Sequence, residues 1–186
     1  YKNDQIENEH FSLEHIVPEV IEVIKVYEKS GHCKIPVIAA GGLYTGEDIY
    51  RLMQLGATGV QLGSKFVTTE ECDASPIFKQ VYIDAGQSDI EIIASPVGMP
   101  GRAISGEFIR KIKSGSEKPR RCAFHCIKTC DYTKSPYCII KALYNAAKGN
   151  MQKGYAFAGA NAFLSQKIVS VRETTETLKK EFRRAE

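Results

Sequence analysis

The feature that most constrains this chain is a pair of short apolar runs that both end in glycine, with a helix-sized gap between them. "KIPVIAAGG", residues 34–42, is apolar and β-branched from Ile35 to Ala40 before it reaches Gly41-Gly42, and "TGVQLGSKF", residues 58–66, breaks at Gly63-Ser64. Continuously apolar strands of this kind are covered on both faces, as in parallel sheets. Between them Thr45 and Asp48 outline a capping box, Ile49, Leu52 and Met53 supply an apolar face, and Gly56 stands where a left-handed C-cap belongs. Strand, helix and strand in about thirty residues make a βαβ unit.

The flanking elements extend the α/β pattern. Ser12 is placed to cap a helix whose stripe Ile16, Val17, Val20, Ile21, Ile24 and Tyr27 should be buried, with Gly31 as its stop. Ser75-Pro76 opens another helix that runs to Gly86, and "IEIIASP" is a further short strand. Beyond residue 96 the texture changes, with the Gly- and Pro-rich "VGMPGRAISGE" and the basic linker "KSGSEKPRR". We therefore divide the chain into residues 1–95 and 96–186, the second part mainly helical. Its expected helices are Glu107 to Lys113 capped by Ser105, Ser135-Pro136 to Lys148, and a charged terminal helix from Val171 to Arg184. "GYAFAGANAF", residues 154–163, is too small-sided for a core strand and predicts close backbone packing or ligand contact.

Charge narrows the partners. Lys and Arg number 25 against 22 Asp and Glu, a net charge of +3, dispersed along the chain, which does not favour a nucleic-acid surface. No apolar run is long enough to span a membrane and "YKNDQIENEH" lacks the order of a signal peptide, so a cytoplasmic location and reduced thiols are expected. The polar stretch from Tyr1 reads as a loop belonging to something longer.

Glycine lacks a Cβ, so at Gly41, Gly42 and Gly63 backbone N–H groups can approach oxygens closely, a nearby helix N-terminus adds partial positive charge, and Ser64 can donate from its hydroxyl. Either turn alone needs nothing more than a tight βα connection. Two on successive strands, with the same polarity, favour a phosphate cradle of the type that (βα)8 barrels build at strand C-termini. The dinucleotide pattern G-x-G-x-x-G is absent, since the glycines of "GGLYTG" fall at 41, 42 and 46, and there is no P-loop. A sugar phosphate or the phosphate tail of flavin mononucleotide (FMN) suits such a barrel.

The stretch "IPVIAAGGLYTGEDIYRLMQLGATGVQLGSKFVTTEECDAS", residues 35–75, resembles the nitronate monooxygenases, a family that also holds flavin-dependent enoyl-acyl carrier protein reductases; "FVTTEECDAS" is its most specific part, and "SPVGMPGRAI" with the cysteine-bearing tail extends the likeness. The resemblance implies the C-terminal part of an FMN-binding (βα)8 TIM barrel followed by a mainly helical region. It implies that Ala40, Gly41 and Gly42 meet the FMN phosphate from one strand and Gly63 with Ser64 from the next, with Gln61 and Leu62 beside them. It also implies oxidation of alkyl nitronates by O2 to carbonyl compounds and nitrite, with NAD(P)H-dependent enoyl reduction as the alternative. The family's substrate-facing histidine belongs to a G-G-H-x-G motif that this sequence lacks and that should lie ahead of Tyr1. Two or three strands are too few for a barrel, so the remainder of the barrel or a partner chain is an expected partner, as is a second copy of the chain. A noncatalytic phosphate-binding fragment is the reading from another class.

The remaining reactive residues have simpler readings. His10 lies in a polar loop, His15 in the first turn of a helix and His32 at a helix end, and all three read as structural or solvated. Cys122, Cys126, Cys130 and Cys138 form C-x3-C-x3-C-x7-C beside His125, a spacing that matches neither zinc pairs nor ferredoxin runs. The first three fall on one helical face, so packed thiols are expected and no metal is assigned. Cys72 follows Glu70 and Glu71, which disfavour a thiolate. Arg102, in a glycine-rich loop, is the candidate for holding an anionic substrate or steadying flavin charge.

Overall fold

The computed structural model describes residues 9–31, 33–128 and 130–186; His32 and the segment at Tyr1 lie outside them. α1 spans Leu13–Gly31. β1 (Ile38–Ala40) and β2 (Gly59–Gln61) pair in parallel, Ile38 opposite Gly59 and Ala40 opposite Gln61, with α2 (Gly46–Gln54) between them. The βαβ unit is therefore present, and Gly56 takes the left-handed φ of +100°. Each strand is only three residues long. The second run breaks at Gly63-Ser64 as expected, and the chain turns there into α3 (Ser64–Val67).

Two burial expectations are corrected. Of the α1 stripe only Val17 is buried, while Val20 and Tyr27 are 39% and 63% exposed. Leu13 and Ile21 pack with Val17 on Ala39, Leu52 and Ala57, but the C-terminal half of the helix has no buried residue. For the same reason β1 is not covered on both faces: Ala39 is buried and Ile38 is 56% exposed. The strand has β2 as its one partner here.

After α4 (Pro76–Asp84), whose Ser75 cap accepts the Phe78 N–H at 3.2 Å, the second sheet pairs β3 (Ile90–Ile93) with β4 (Gly101–Ile104) in antiparallel register, Ile90 opposite Ile104. Residue 96 falls in the connection between these paired strands. Arg102 is thus a strand residue, not part of a glycine-rich loop: the Gly101 turn continues directly into the ladder. α5 (Glu107–Lys113) has Gly106 and not Ser105 at its cap, and α6 (Ile139–Ala147) begins after Cys138 and not at Ser135-Pro136. α7 (Val171–Ala185) is capped by Ser170, which accepts the Glu173 N–H at 3.1 Å. Alternate residues of β4 serve two cores. Ala103 packs with Phe108, Tyr137 and Tyr155, and Ile104 packs with Tyr82, Ala156 and Ala162.

The terminal helix is less solvated than its charge implies. Thr174 and Leu178 are buried against α2, and Gly46 makes the approach possible. A Cβ at Gly46 would lie 2.2 Å from the Leu178 carbonyl oxygen and 2.4 Å from the Phe182 nitrogen, both rigid backbone atoms. Gly46→Ala should therefore force α7 off α2 and cost roughly 1–3 kcal/mol as an overpacking change, read as a lowered urea midpoint at unchanged slope.

Candidate functional site

The two glycine turns leave the parallel ladder at the same end. Gly41 and Gly42 have φ of +117° and +68°, in the left-handed region where glycine is favoured. A Cβ built on Gly41, Gly42 or Gly63 would meet no atom within 4 Å, so the space over all three is open. Ala40 and Gln61 are exposed at the ends of their strands, Leu62 is half-buried, and Gly63 is the cap of α3 with φ −108°. Outside helices and strands, no hydrogen bond among the described residues engages the N–H of Gly41, Gly42, Gly63 or Ser64.

The N-terminus of α2 is not available as the positive end expected from sequence. The Tyr44 and Thr45 N–H groups donate to Asp48 Oδ2 at 2.9 and 3.0 Å, and the Asp48 N–H donates to Thr45 Oγ1 at 3.2 Å. Gly46 N–H donates to Glu181 Oε2 at 2.7 Å. Two carboxylates of the protein itself thus fill the position that would attract an external anion. Burial pushes the Asp48 carboxyl up, but the bonds from Thr45 and Tyr44 and the charge of Arg51 outweigh it and hold its pKa below the usual value.

A strap from the C-terminal half secures both turns. It starts at β4, where the Ile104 N–H donates to the Ala156 carbonyl and the Ala158 N–H to the Arg102 carbonyl, both at 3.0 Å. One residue later the Gly159 N–H donates to Ser64 Oγ at 2.8 Å, and Asn161 Nδ2 donates to the Gly42 carbonyl at 2.6 Å. Ser165 Oγ then meets Tyr44 Oη at 2.7 Å, and Thr68 Oγ1 donates to Ser165 Oγ at 3.4 Å. The strap ends by bridging Val169 to Thr69, just before α7. A Cβ at Gly159 would lie 3.2 Å from Ser64 Oγ, a close contact that would press on this bond. The small-sided run 154–163 is this strap, and the close packing expected of it is present; Asn161 itself was not singled out from sequence.

Lys65 Nζ lies 4.1 Å from the centre of the Tyr44 ring. Burial pushes the Lys65 pKa down, against the charge of Glu181, and burial pushes the Tyr44 phenol up. Both residues line a polar pocket with Thr68, Ser165 and Lys167 beside the strap. Sequence reasoning passed over Lys65 and Glu181 because their neighbours are far along the chain.

The other candidates stand apart in role. Arg102 reaches the site through its backbone carbonyl on Ala158, and no contact among the described residues brings its guanidinium to the glycine turns. His10 and His15 meet each other edge-on with ring centres 5.8 Å apart, and His15 Nδ1 is 3.0 Å from Ser12 Oγ. Cys72 is half-buried; burial raises the Tyr82 pKa, and the electrostatic effect of Cys72 adds to it. Cys122, Cys126 and Cys130 are not on a helical face, since the described residues between α5 and α6 form turns and coil.

Parallel strands ending in open glycine turns, both bonded to one distant strap, define an α/β protein with open space at the C-terminal ends of its strands. The sequence model of the nitronate monooxygenase family matches residues 2–181, and the chain belongs to that family. The probable nitronate monooxygenase of Staphylococcus saprophyticus is 35% identical over 97 residues, 52% of this chain and 25% of the relative, and that of Staphylococcus haemolyticus is 34% identical over 98 residues, 53% and 25%. The chain thus spans about a quarter of the length of these curated relatives. FabK from Thermotoga maritima superposes with a TM-score of 0.68 at 27% identity, over 93% of this chain and 49% of that one. Nitroalkane oxidase from Streptomyces ansochromogenes shares the fold, with a TM-score of 0.65 at 21% identity over 94% and 44%. Among the described residues, no helix is long and apolar enough to cross a membrane.

Asp48 yields a pH prediction. A carboxyl held below its unfolded pKa contributes stability that is present above the unfolded value and lost as pH falls through the folded one. Asp48→Asn should therefore be less stable than the parent at neutral pH, and the gap between the two urea midpoints should close as the solution is acidified through the carboxylate range. A gap independent of pH would contradict this.

Proposed function

We propose that the chain supplies the FMN phosphate site of a flavin-dependent oxidoreductase that converts alkyl nitronates and O2 into carbonyl compounds and nitrite. The observation that carries this reading is the open space over Gly41, Gly42 and Gly63 at the ends of two parallel strands, held by Asn161 and Gly159. In this reading the N–H groups of Gly42, Gly63 and Ser64 donate to phosphate oxygens. Ser64 Oγ already accepts from Gly159, so its own proton is left to donate in the same direction. Ala40, Gln61 and Leu62 flank the cradle. Bound FMN supplies the redox chemistry, and the protein supplies position and charge. Lys65, near the cradle and with a lowered pKa, is a further cation whose field favours the phosphate dianion.

On the same reading residues 1–95 are the C-terminal part of a (βα)8 barrel, and residues 96–186 strap it, not as the mainly helical region expected but as α5, α6 and α7 set in longer turns and coil. The exposed faces of α1 and β1 are then covered by the rest of the barrel, on the same polypeptide or a partner chain. The small-molecule substrate enters from the open side, and the family histidine would come from that remaining part. A second reading, enoyl-thioester reduction by NAD(P)H on the same flavin, is favoured by the 27% identity to FabK.

Gly63→Val separates ligand from fold. Its φ of −108° suits any residue and its Cβ meets nothing within 4 Å, so stability should change by less than about 0.5 kcal/mol. FMN affinity should fall by about tenfold or more, measured by quenching of flavin fluorescence. Unchanged FMN affinity would remove the cradle, and turnover of an enoyl thioester with NAD(P)H but not of a nitronate would select the second reading.

A further inference from the structure

Between Lys113 and Ile139 the described residues form neither helix nor strand. Structureless connections beyond roughly 12–15 residues are uncommon in compact folds, and where they occur they are usually functional or disordered. Tyr137 anchors its C-terminal end in the core, but earlier in the connection the apolar contribution is thin: Phe124 is 50% exposed, and His125 takes an uncommon φ of +46°. What the segment does gather is sulfur. Cys122, Cys126, Cys130 and Cys138 all line one pocket, together with Pro96, Arg121 and Tyr137. The other two of the six cysteines, Cys33 and Cys72, are not part of it.

These thiols do not behave as packed apolar groups. Cys126 is exposed and the other three are half-buried, whereas inert structural cysteines are among the most buried residues. Polar groups stand beside two of them. The His125 N–H donates to Cys122 Sγ at 3.3 Å, Cys130 Sγ stands 3.5 Å from Ser135 Oγ, and the guanidinium-bearing Arg121 lines the same pocket. The sulfurs share the pocket without yet meeting: among the described residues, no three His, Cys, Asp or Glu side chains stand at metal-holding distance. Cys138 is fixed at the cap of α6 beside the buried Tyr137, so closing the gap falls to the part of the connection that carries Cys122, Cys126 and Cys130.

We propose that Cys122, Cys126, Cys130 and Cys138 form a four-thiolate site for one soft divalent cation of the zinc class, which closes the pocket and orders the connection between α5 and α6. Four sulfurs satisfy tetrahedral zinc without an open position, so the site is structural and carries no chemistry of its own. Each ligating thiol gives its proton to solvent as the metal binds, and no electron transfer is involved. This assignment reverses the expectation of packed thiols without metal, and it is independent of the flavin.

The test uses the full chain, reduced, stripped with chelator and titrated anaerobically with Co2+ and then Zn2+. One Co2+ per chain should bind with thiolate charge-transfer absorption and the visible bands of a tetrahedral ion, and one equivalent of Zn2+ should bleach them. Binding should release up to about four protons. Cys126→Ser and, separately, Cys122→Ser should each weaken binding by about tenfold or more, with the circular dichroism of the metal-free chain unchanged. Cys33→Ser and Cys72→Ser should titrate as the parent does. No stoichiometric Co2+ binding, binding that survives both pocket substitutions, or isolation of the chain with iron and sulfide in place of zinc would each overturn the assignment.

Discussion

Two glycine turns can serve one ligand only if the distance between them is held, and here it is held from outside the sheet. The strand pair is three residues long on each side and could not by itself fix the geometry of the loops that leave it. The strap does so with two hydrogen bonds, Asn161 to the Gly42 carbonyl and Gly159 to the Ser64 hydroxyl. Its own position is set by the ladder contacts of Ala156 and Ala158 with β4, and by the Thr69–Val169 bridge at its far end. The C-terminal half of the chain is therefore part of the site although it contributes none of the glycines.

The same arrangement decides where positive potential is left unspent. Asp48 and Glu181 satisfy the first amides of α2, so that helix end is internally neutralised. The amides of Gly42, Gly63 and Ser64 have no such partner among the described residues outside regular structure. Burial of Lys65 against Tyr44 lowers its pKa, and Glu181 opposes that shift from the neighbouring helix. In the proposed phosphate site, affinity would therefore come from the glycine turns and Lys65, with little help from the α2 dipole.

Local signals were legible in the sequence where they are set by neighbouring residues. The Thr45–Asp48 capping box, the Ser75-Pro76 start, the Gly56 stop and the open conformation of Gly41-Gly42 all follow from side chains within a few positions. The errors came from longer reach. Strand length depends on how many neighbours each strand has, which "KIPVIAAGG" does not encode. Burial of the α1 stripe depends on a covering layer that the described residues do not supply. Cys122, Cys126 and Cys130 have helical spacing, yet Pro119 and Pro136 flank them and the described residues between α5 and α6 are turns and coil. The roles of Asn161 and Glu181 rest on contacts more than 100 positions apart, for which a single sequence carries no signal.

If the glycine turns and their strap recognise a phosphate group, FMN and riboflavin, which lacks only the phosphate, should bind very differently. Titrating the flavoprotein that contains this chain with each flavin by fluorescence quenching should give much tighter binding of FMN, by about a hundredfold or more if the turns contribute at least two charge-assisted hydrogen bonds. The preference should collapse in Asn161→Ala, which frees the Gly42 turn. Equal affinity for the two flavins would contradict the account.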